Sequence, residues 1–256
     1  MKAQIEGALP EYKIEIFDEI VSTNTYLVEK AKRENIGKTI ALARSQTGGR
    51  GRLGRTFLSP RDAGLYMTVL LPLSKIEESD GLTLRIGAAL REAVAERFAY
   101  IMPTVKWVND IYVGERKLAG ILVEGVTRVD GTFCAVIGIG MNFLESAFPE
   151  ELAYRVTSIE GETGEKHSPL SFVAPLIKHM EAWLSVPLSH VIEVYRTYGY
   201  LKGKQLTVLP HGKEEYTGEY VDIDESGALI VRVENGETQR LFTGDVSVKN
   251  TKNVNN

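Results

Sequence analysis

The chain has 256 residues and a net charge of −4, with 43% hydrophobic and 25% charged residues. This length suits one large domain and one small domain, and it can bury a core without disulfides or a structural metal. The negative net charge argues against a general nucleic-acid-binding protein. The sequence contains neither a signal peptide nor a stretch of roughly 20 apolar residues. We therefore expect a cytoplasmic protein that neither spans a membrane nor binds DNA.

Hydrophobic periodicity predicts strands and helices in the N-terminal part of the chain. Residues 45–55 are too rich in glycine for a helix and too polar for a core strand, so they predict a loop. Capping residues before the first helix and a glycine shortly after it mark its ends. The predicted elements are strand 12–17, helix 22–32, strand 39–43, strand 65–71 and helix 82–98.

Closely spaced strands follow the second predicted helix. They are joined by short turns such as Asn109-Asp110 and Asp130-Gly131. Connections this short join antiparallel strands, because parallel pairs need a crossover of about a dozen residues. Beyond them, residues 170–200 predict helix with interruptions at two prolines, Pro175 and Pro187. The predicted strands of this region are 105–107, 111–113, 118–125 and 133–140.

From residue 204 the pattern changes to short strands separated by glycine turns, which predicts a small β-barrel of SH3-like or OB-like type. We predict a catalytic domain over residues 1–200, a barrel over 201–250 and a polar, disordered tail over 251–256. The fold class is then α/β (α+β), with a mixed, largely antiparallel sheet and flanking helices. The predicted barrel strands are 205–209, 215–223, 229–233, 238–242 and 246–248.

The loop at residues 49–55 reads GRGRLGR and matches the pattern G-x-G-x-x-G. In a dinucleotide-binding fold this pattern opens a helix that meets the pyrophosphate, but no helix signal follows the loop here. A Walker loop needs lysine and then Ser or Thr after its last glycine, and this loop has Arg55-Thr56. A flexible, solvated basic loop is one explanation. The other is a loop that closes over an anionic ligand, since guanidinium groups pair with phosphate and carboxylate oxygens. Arginine is concentrated around it, at Arg44, Arg50, Arg52, Arg55 and Arg61.

Five motifs, in order along the chain, resemble those of biotin–protein ligases. The resemblance extends over roughly residues 12–250. One departure is Val108, which stands where the family usually has proline and leaves that turn less rigid. The matching strings are Ser22-Thr23-Asn24 with Gln46, GRGRLGR at 49–55, KWVND at 106–110, KLAGILVE at 117–124 and GIGMN at 138–142.

The resemblance implies an ATP-dependent ligase that forms biotinyl-5'-AMP from biotin and ATP. The enzyme would then transfer biotin to a lysine of a biotin carrier protein, such as the carrier domain of acetyl-CoA carboxylase. The resemblance also implies a class II synthetase-like catalytic domain followed by an SH3-like barrel, as a monomer or homodimer. Some members carry a DNA-binding domain first, and we expect the ligase-only form because the first matching strand starts near residue 12.

The head of biotin is a neutral cyclic urea, which small neutral polar groups suit better than buried charges. Residues 22–24 are three consecutive helix-capping types, more than one cap requires, although plain capping is the alternative explanation. The resemblance implies that biotin is bound by Ser22, Thr23, Asn24, Gln46, Gly49, Arg50, Gly51, Arg52, Lys117 and Gly138.

The first reaction brings the carboxylate of biotin to ATP, and the repulsion between these anions must be screened. The resemblance implies Arg52 and Lys117 as the catalytic residues, although a lysine after a hairpin turn is commonly a surface residue. Asn109 and Asp110 are either plain turn residues or residues that position ATP and Mg²⁺, with Asp110 as the metal ligand. The residues implied for ATP are Arg52, Arg55, Phe57, Lys106, Asn109, Asp110 and Asn142.

Two other functions are consistent with parts of the sequence. A lipoate–protein ligase or octanoyltransferase resembles biotin ligases in fold but carries a different arginine motif. A non-catalytic module could bind nucleic acid through the barrel, but residues 204–249 mix basic residues with many acidic ones and show no basic stripe.

Cys134 lies in an apolar run and predicts a buried small hydrophobe rather than a nucleophile. The four histidines lie outside every motif, which suits a ligase whose substrate carboxylate is the attacking group.

Overall fold

The computed structural model describes residues 2–145, 149–152, 154–210 and 214–248. The strands of its larger sheet are β1 (Lys13–Phe17), β2 (Thr39–Ala43), β3 (Gly64–Pro72), β4 (Pro103–Lys106), β5 (Asp110–Val113), β6 (Arg116–Thr127) and β7 (Phe133–Asn142). They lie in the order β1-β2-β3-β7-β6-β5-β4. The β1–β2 pair is parallel, and the other neighbouring pairs of this sheet are antiparallel. The predicted mixed, largely antiparallel sheet is confirmed.

Helices cover both faces of this sheet. They are α1 (Lys2–Ala8), α2 (Thr23–Arg33), α3 (Leu82–Arg97), α4 (Ile159–Thr163), α5 (Val173–Leu184) and α6 (Leu188–Thr197). Successive residues of a strand point to opposite faces, so Leu70 and Val136 pack with α2 while Val69 and Ile137 join the core formed with α3 and α5. Cys134 is buried on the α2 face, as its apolar surroundings predict. Within the described residues, no helix is long and apolar enough to cross a membrane.

Three features of the helices differ from the sequence prediction. Helices α1 and α4 have no predicted counterpart, although Ile5 and Ile159 are buried in the main core. Pro175 does not interrupt a helix, because it lies in the first turn of α5, where backbone N–H groups have no intrahelical acceptor to lose. Pro187 does separate two helices and directly precedes α6.

The C-terminal residues form a second, five-stranded antiparallel sheet. Its strands are β8 (Gln205–Leu209), β9 (Tyr216–Ile223), β10 (Leu229–Val233), β11 (Thr238–Leu241) and β12 (Asp245–Val248), in the order β11-β10-β9-β8-β12. The predicted small β-structure is confirmed, while the domain boundary near residue 200 stays a prediction. The indole N–H of the buried Trp107 donates to the Gly227 carbonyl at 3.0 Å and fastens this sheet to the larger one. The predicted disordered tail, 251–256, lies outside the described residues.

Candidate active site

A cavity lies on the α2 side of the larger sheet, and glycines form much of its floor. Gly120 of β6 is paired with Gly140 of β7, and Gly138 lies two residues before Gly140 on the same face. Having no side chains, they leave room for functional groups from other elements to approach the strands. A Cβ atom added at these glycines would lie 2.0 Å from Asn24 Oδ1 (at Gly138), 2.5 Å from the Phe57 ring (at Gly140) and 3.0 Å from Lys117 Nζ (at Gly120).

Most of the residues singled out from the sequence meet around this one cavity. Three do not line it: Gly49, Lys106 and Asn142. Gly49 lies at the base of the glycine–arginine loop, where a Cβ would meet the Phe57 carbonyl oxygen at 2.3 Å. The predicted residues that line the cavity are Ser22, Thr23, Asn24, Gln46, Arg50, Gly51, Arg52, Arg55, Phe57, Asn109, Asp110, Lys117 and Gly138.

One end of the cavity is walled by neutral hydrogen-bonding groups from the start of α2 and from Gln46, and Thr68 of β3 is buried behind them. The Ser22 hydroxyl accepts a 3.4 Å bond from the Thr25 backbone N–H, so this residue caps the helix as expected. Gln46 Oε1 accepts bonds from the backbone N–H and the hydroxyl of Thr23, at 2.9 and 3.1 Å. The Thr68 hydroxyl lies 2.6 Å from Asn24 Oδ1 and 2.8 Å from Thr23 Oγ1. These bonds fix the orientation of each group that faces the cavity.

The glycine–arginine loop is a narrow hairpin across the cavity. Phe57 N–H donates to the Gly49 carbonyl at 2.9 Å, and Gly51 N–H donates to the Arg55 carbonyl at 2.7 Å. At its tip Leu53 has φ 55°, a left-handed backbone conformation that residues other than glycine rarely adopt. The loop is therefore held by bonds of its own and not only by its arginines.

Each arginine of the hairpin contacts a different element. Arg50 makes two bonds to the Glu124 carboxylate, at 2.9 and 3.1 Å. Arg52 donates to Asn109 Oδ1 at 3.0 Å and to the Thr243 hydroxyl at 3.2 Å. Arg55 pairs with the carboxylate of Asp245 at the start of β12. The last two contacts make the second sheet part of the cavity wall.

Positive charge is concentrated at the end of the cavity opposite the neutral wall. Burial lowers the pKa of the Arg52 guanidinium, which stays protonated at any ordinary pH. Lys117 Nζ lies over Gly120, 2.7 Å from Asp110 Oδ1. Lys106 lies on the same face of the sheet but outside the cavity lining, on the edge strand β4. Its Nζ is 3.4 Å from the Tyr112 hydroxyl, and burial lowers its pKa.

A second, mostly apolar cavity adjoins the first. Three residues line both cavities: Thr56, Phe57 and Lys117. The Asn142 amide donates to the Thr157 carbonyl at 2.9 Å, so this side chain fastens the chain beside the second cavity. The remaining lining residues of the second cavity are Leu58, Ala119, Asn142, Leu152 and Val156.

Comparison with known proteins assigns the family. Residues 16–142 match the Biotin/lipoate A/B protein ligase family, and residues 203–249 match the Biotin protein ligase C terminal domain. The two matches together take in more than half of the chain. The chain belongs to the biotin/lipoate protein ligase family.

Relatives within the family are similar over nearly the whole chain. The "Bifunctional ligase/repressor BirA" of Escherichia coli is 28% identical, over 97% of this chain and 78% of that protein. The "Biotin--[acetyl-CoA-carboxylase] ligase" of Paracoccus denitrificans is 29% identical, over 77% and 85%. Among solved structures, the biotin protein ligase from Aquifex aeolicus in complex with biotin and ATP has a TM-score of 0.77 at 28% identity, covering 93% of this chain and 98% of the other.

Several residues of this family member's site were missed from the sequence. Thr68 lies in a strand that reads as uniformly apolar, and Glu124 was only the last letter of a matched string. Thr243 and Asp245 belong to the C-terminal part of the chain. Nothing in their local sequence indicates a contact with the hairpin, although Asp245 pairs with Arg55, 190 residues earlier. Strand alternation could have placed Glu124 on the same face as Gly120, four residues earlier, whereas Asp245 needs the fold.

Proposed function

We propose that this chain is an ATP-dependent biotin–protein ligase that works in two steps. The carboxylate of biotin attacks the α-phosphorus of ATP, the bond to the β-phosphate breaks, and pyrophosphate leaves. The lysine of a carrier protein then attacks the acyl carbon of biotinyl-5'-AMP and AMP leaves. The observation that carries the proposal is a single cavity with a neutral hydrogen-bonding wall at one end and cations at the other.

The neutral end suits the head of biotin. The side chains there are hydroxyl and amide groups, which can pair with the carbonyl and N–H groups of a cyclic urea without burying an unpaired charge. The Thr68 hydroxyl donates a hydrogen bond to Asn24 Oδ1 at 2.6 Å, so Asn24 offers an N–H donor rather than its oxygen to the cavity. A urea carbonyl is the matching acceptor. Arg50 and Gly51 of the hairpin would then lie along the ring and chain of biotin.

The cationic end suits the reacting anions. Lys117 is a point charge on β6, and Arg52 presents a planar fork from the hairpin. Arg52 is bonded to neutral oxygens of Asn109 and Thr243, whereas Arg50 and Arg55 are paired with carboxylates. Its charge is therefore the least neutralised of the three and the most available to the α-phosphate. Fixed charges of this kind stabilise the negative charge that develops in the transition state.

The second cavity suits the base of the nucleotide. It opens beside Lys117 and is lined largely by apolar side chains, including Leu152 and Val156. Phe57 is the aromatic residue shared with the first cavity, and its position fits a ring that packs against adenine. Asn142 would then support this subsite by holding the chain at Thr157.

Asp110 is the residue that could hold Mg²⁺ with the phosphates of ATP. Among the described residues no group of three or more His, Cys, Asp or Glu side chains could hold a metal on its own. Mg²⁺ is commonly bound by one or two carboxylates together with substrate phosphates, and a single Asp110 fits that arrangement. The ion would supply charge neutralisation on the phosphates. Lys117, which lies against Asp110, contributes positive charge to the same region.

The partner we propose is a biotin carrier protein that presents one lysine, such as the carrier domain of acetyl-CoA carboxylase. The names of the Paracoccus denitrificans and Mycobacterium tuberculosis relatives support this choice. The C-terminal domain match separates the chain from lipoate ligases, because that match is to a biotin ligase domain.

Calorimetry and a pyrophosphate-release assay test the proposal. Wild-type protein should bind biotin and not lipoate, and should release pyrophosphate only with biotin and Mg-ATP together. Lys117→Ala should slow that release by about 100-fold, since one preorganised electrostatic group contributes on this scale. Lys166→Ala is the matched control, because Lys166 is an exposed lysine away from the cavity. Binding of lipoate without biotin, or unchanged release in Lys117→Ala, would refute the proposal.

A further inference from the structure

Glu124 joins the two parts of the site that face the proposed biotin head. It lies on β6, and its side chain is only 26% exposed. Its carboxylate accepts two bonds from Arg50, at 2.9 and 3.1 Å, and one from Asn24 Nδ2 at 3.3 Å. Arg50 and Asn24 both line the cavity, whereas Glu124 does not. We propose that Glu124 is a positioning residue, which fixes the Asn24 amide and the hairpin relative to each other for binding of biotin.

The first part of the argument concerns the Asn24 amide. An amide has a donor end and an acceptor end, and its neighbours decide which end faces the ligand. Thr68 lies at the oxygen, 2.6 Å away, and Glu124 accepts from the nitrogen. A flipped amide would place its oxygen against the carboxylate, and two acceptors repel each other. Glu124 therefore holds Asn24 with its second N–H free for a urea carbonyl.

The second part concerns the hairpin. Its side-chain bonds to the rest of the molecule near the biotin end come from Arg50, while Arg52 and Arg55 are held at the other end by Asn109 and the second sheet. A bidentate pair between a guanidinium and a carboxylate fixes direction as well as distance. The Glu124 carboxylate thus fixes both the Asn24 amide that would bind the biotin head and the position of the hairpin over that head.

A purely structural role for this pair would give a different result. The Arg50 side chain is 45% exposed, and ion pairs this accessible contribute little to the stability of a fold. Removing the charge at Glu124 should therefore lower the melting temperature by no more than about 4–8 °C, the scale of its single bond from Asn24. Its effect should appear in the choice of ligand.

The test compares biotin with iminobiotin, in which a guanidinium replaces the urea and no carbonyl acceptor remains. Because the proposal rests on the proposed function, the wild-type affinity for biotin is measured first, by calorimetry at pH 7. Glu124→Gln should weaken biotin by about 10-fold, the scale of a hydrogen bond to a charged group. It should weaken iminobiotin by less than about 2-fold, because a freed Asn24 amide can turn its oxygen to the guanidinium.

Two further variants complete the experiment. Asp222→Asn is the matched control, since Asp222 also binds an arginine, Arg196, through two bonds of 2.9 Å but lies away from the cavity. Thr68→Val frees the other end of the Asn24 amide and should lower the preference for biotin without touching Arg50. This variant decides the question if Glu124→Gln does not fold.

The outcomes separate the two proposals. No biotin binding by the wild-type protein would refute the function itself. Normal binding with a preference for biotin that stays within 2-fold of wild type in Glu124→Gln and Thr68→Val would refute only the positioning role. In the double variant Arg50→Ala with Glu124→Gln, the loss of biotin affinity should be smaller than the sum of the two single losses. Both substitutions break the same ion pair, and effects within one pair are not additive.

Discussion

Replacing Gly138 by alanine should damage biotin binding more than any other single methyl group added to the floor of the cavity. The new Cβ would lie 2.0 Å from Asn24 Oδ1, 2.7 Å from its Cγ and 2.9 Å from its Nδ2. Contacts this short require the whole amide to move. Asn24 cannot do so freely, because it is buried between Thr68 and Glu124.

The magnitude follows from the bonds that the amide gives up. A neutral hydrogen bond contributes about 1 kcal/mol and a bond to a carboxylate about 2 kcal/mol. The free energy of unfolding should therefore fall by about 3 kcal/mol, which lowers the melting temperature by about 6–12 °C in a protein of this size. Loss of the proposed Asn24 bond to biotin should raise Kd by at least about 10-fold.

Calorimetry with biotin and a thermal melt measure both effects. Gly37→Ala is the control, because a Cβ at Gly37 meets nothing within 4 Å. Asn24→Ala removes the same hydrogen bonds without any clash. The double variant Gly138→Ala with Asn24→Ala should therefore melt close to Asn24→Ala alone, and its affinity for biotin should stay low. A Gly138→Ala protein with wild-type affinity and melting temperature would show that Asn24 does not hold the place described here.

Three further predictions concern stability. Trp107→Phe should lower the free energy of unfolding by about 1–3 kcal/mol in urea, because it removes the indole bond and leaves the Gly227 carbonyl unpaired. Leu53→Asn should raise it by about 0.5 kcal/mol, since asparagine tolerates the left-handed conformation at φ 55°, whereas Leu53→Val should lower it. Burial raises the pKa of Glu15, but hydrogen bonds, first from Lys30, outweigh it and hold the pKa at about 2. The stability that Glu15 contributes is therefore present above its ordinary pKa of 4.5 and lost as the pH falls toward 2, so wild type and Glu15→Gln should differ in melting temperature at pH 7 and converge near pH 2.

The strands and the longer helices were predictable because their burial follows simple periods. The meander of β4 to β7 could be assigned as antiparallel from its short turns alone. Helix α1 was not predicted, since only Ile5 within its short span is buried and no clear apolar period results. Pro175 was misread because a proline signals a break only in the interior of a helix, and its position within α5 depends on where the preceding turn ends.

The site was predictable where the residues that line the cavity belong to a short, contiguous sequence motif. The start of α2, the hairpin and the lysine of β6 all reach the cavity that their motifs imply. The failures concern groups that act through another residue. Glu124 and Thr68 orient Asn24 from different strands, and the sequence carries no record of which side chains share a face across a sheet. Strand alternation puts Lys106 on the same face of the sheet as Asp110 and Gly120, but β4 is the edge strand and Lys106 lies outside the cavity lining.

The hairpin of residues 49–57 depends on side chains that are synthesised much later. Arg52 and Arg55 are bonded to Thr243 and Asp245, which lie in the last described strand and the turn before it. A growing chain folds from its N-terminal end while the ribosome is still adding residues. During translation the larger sheet can therefore form with one wall of its cavity missing. Completion of that wall needs residues 243–245, so a chain terminated before them would carry the loop without these two contacts.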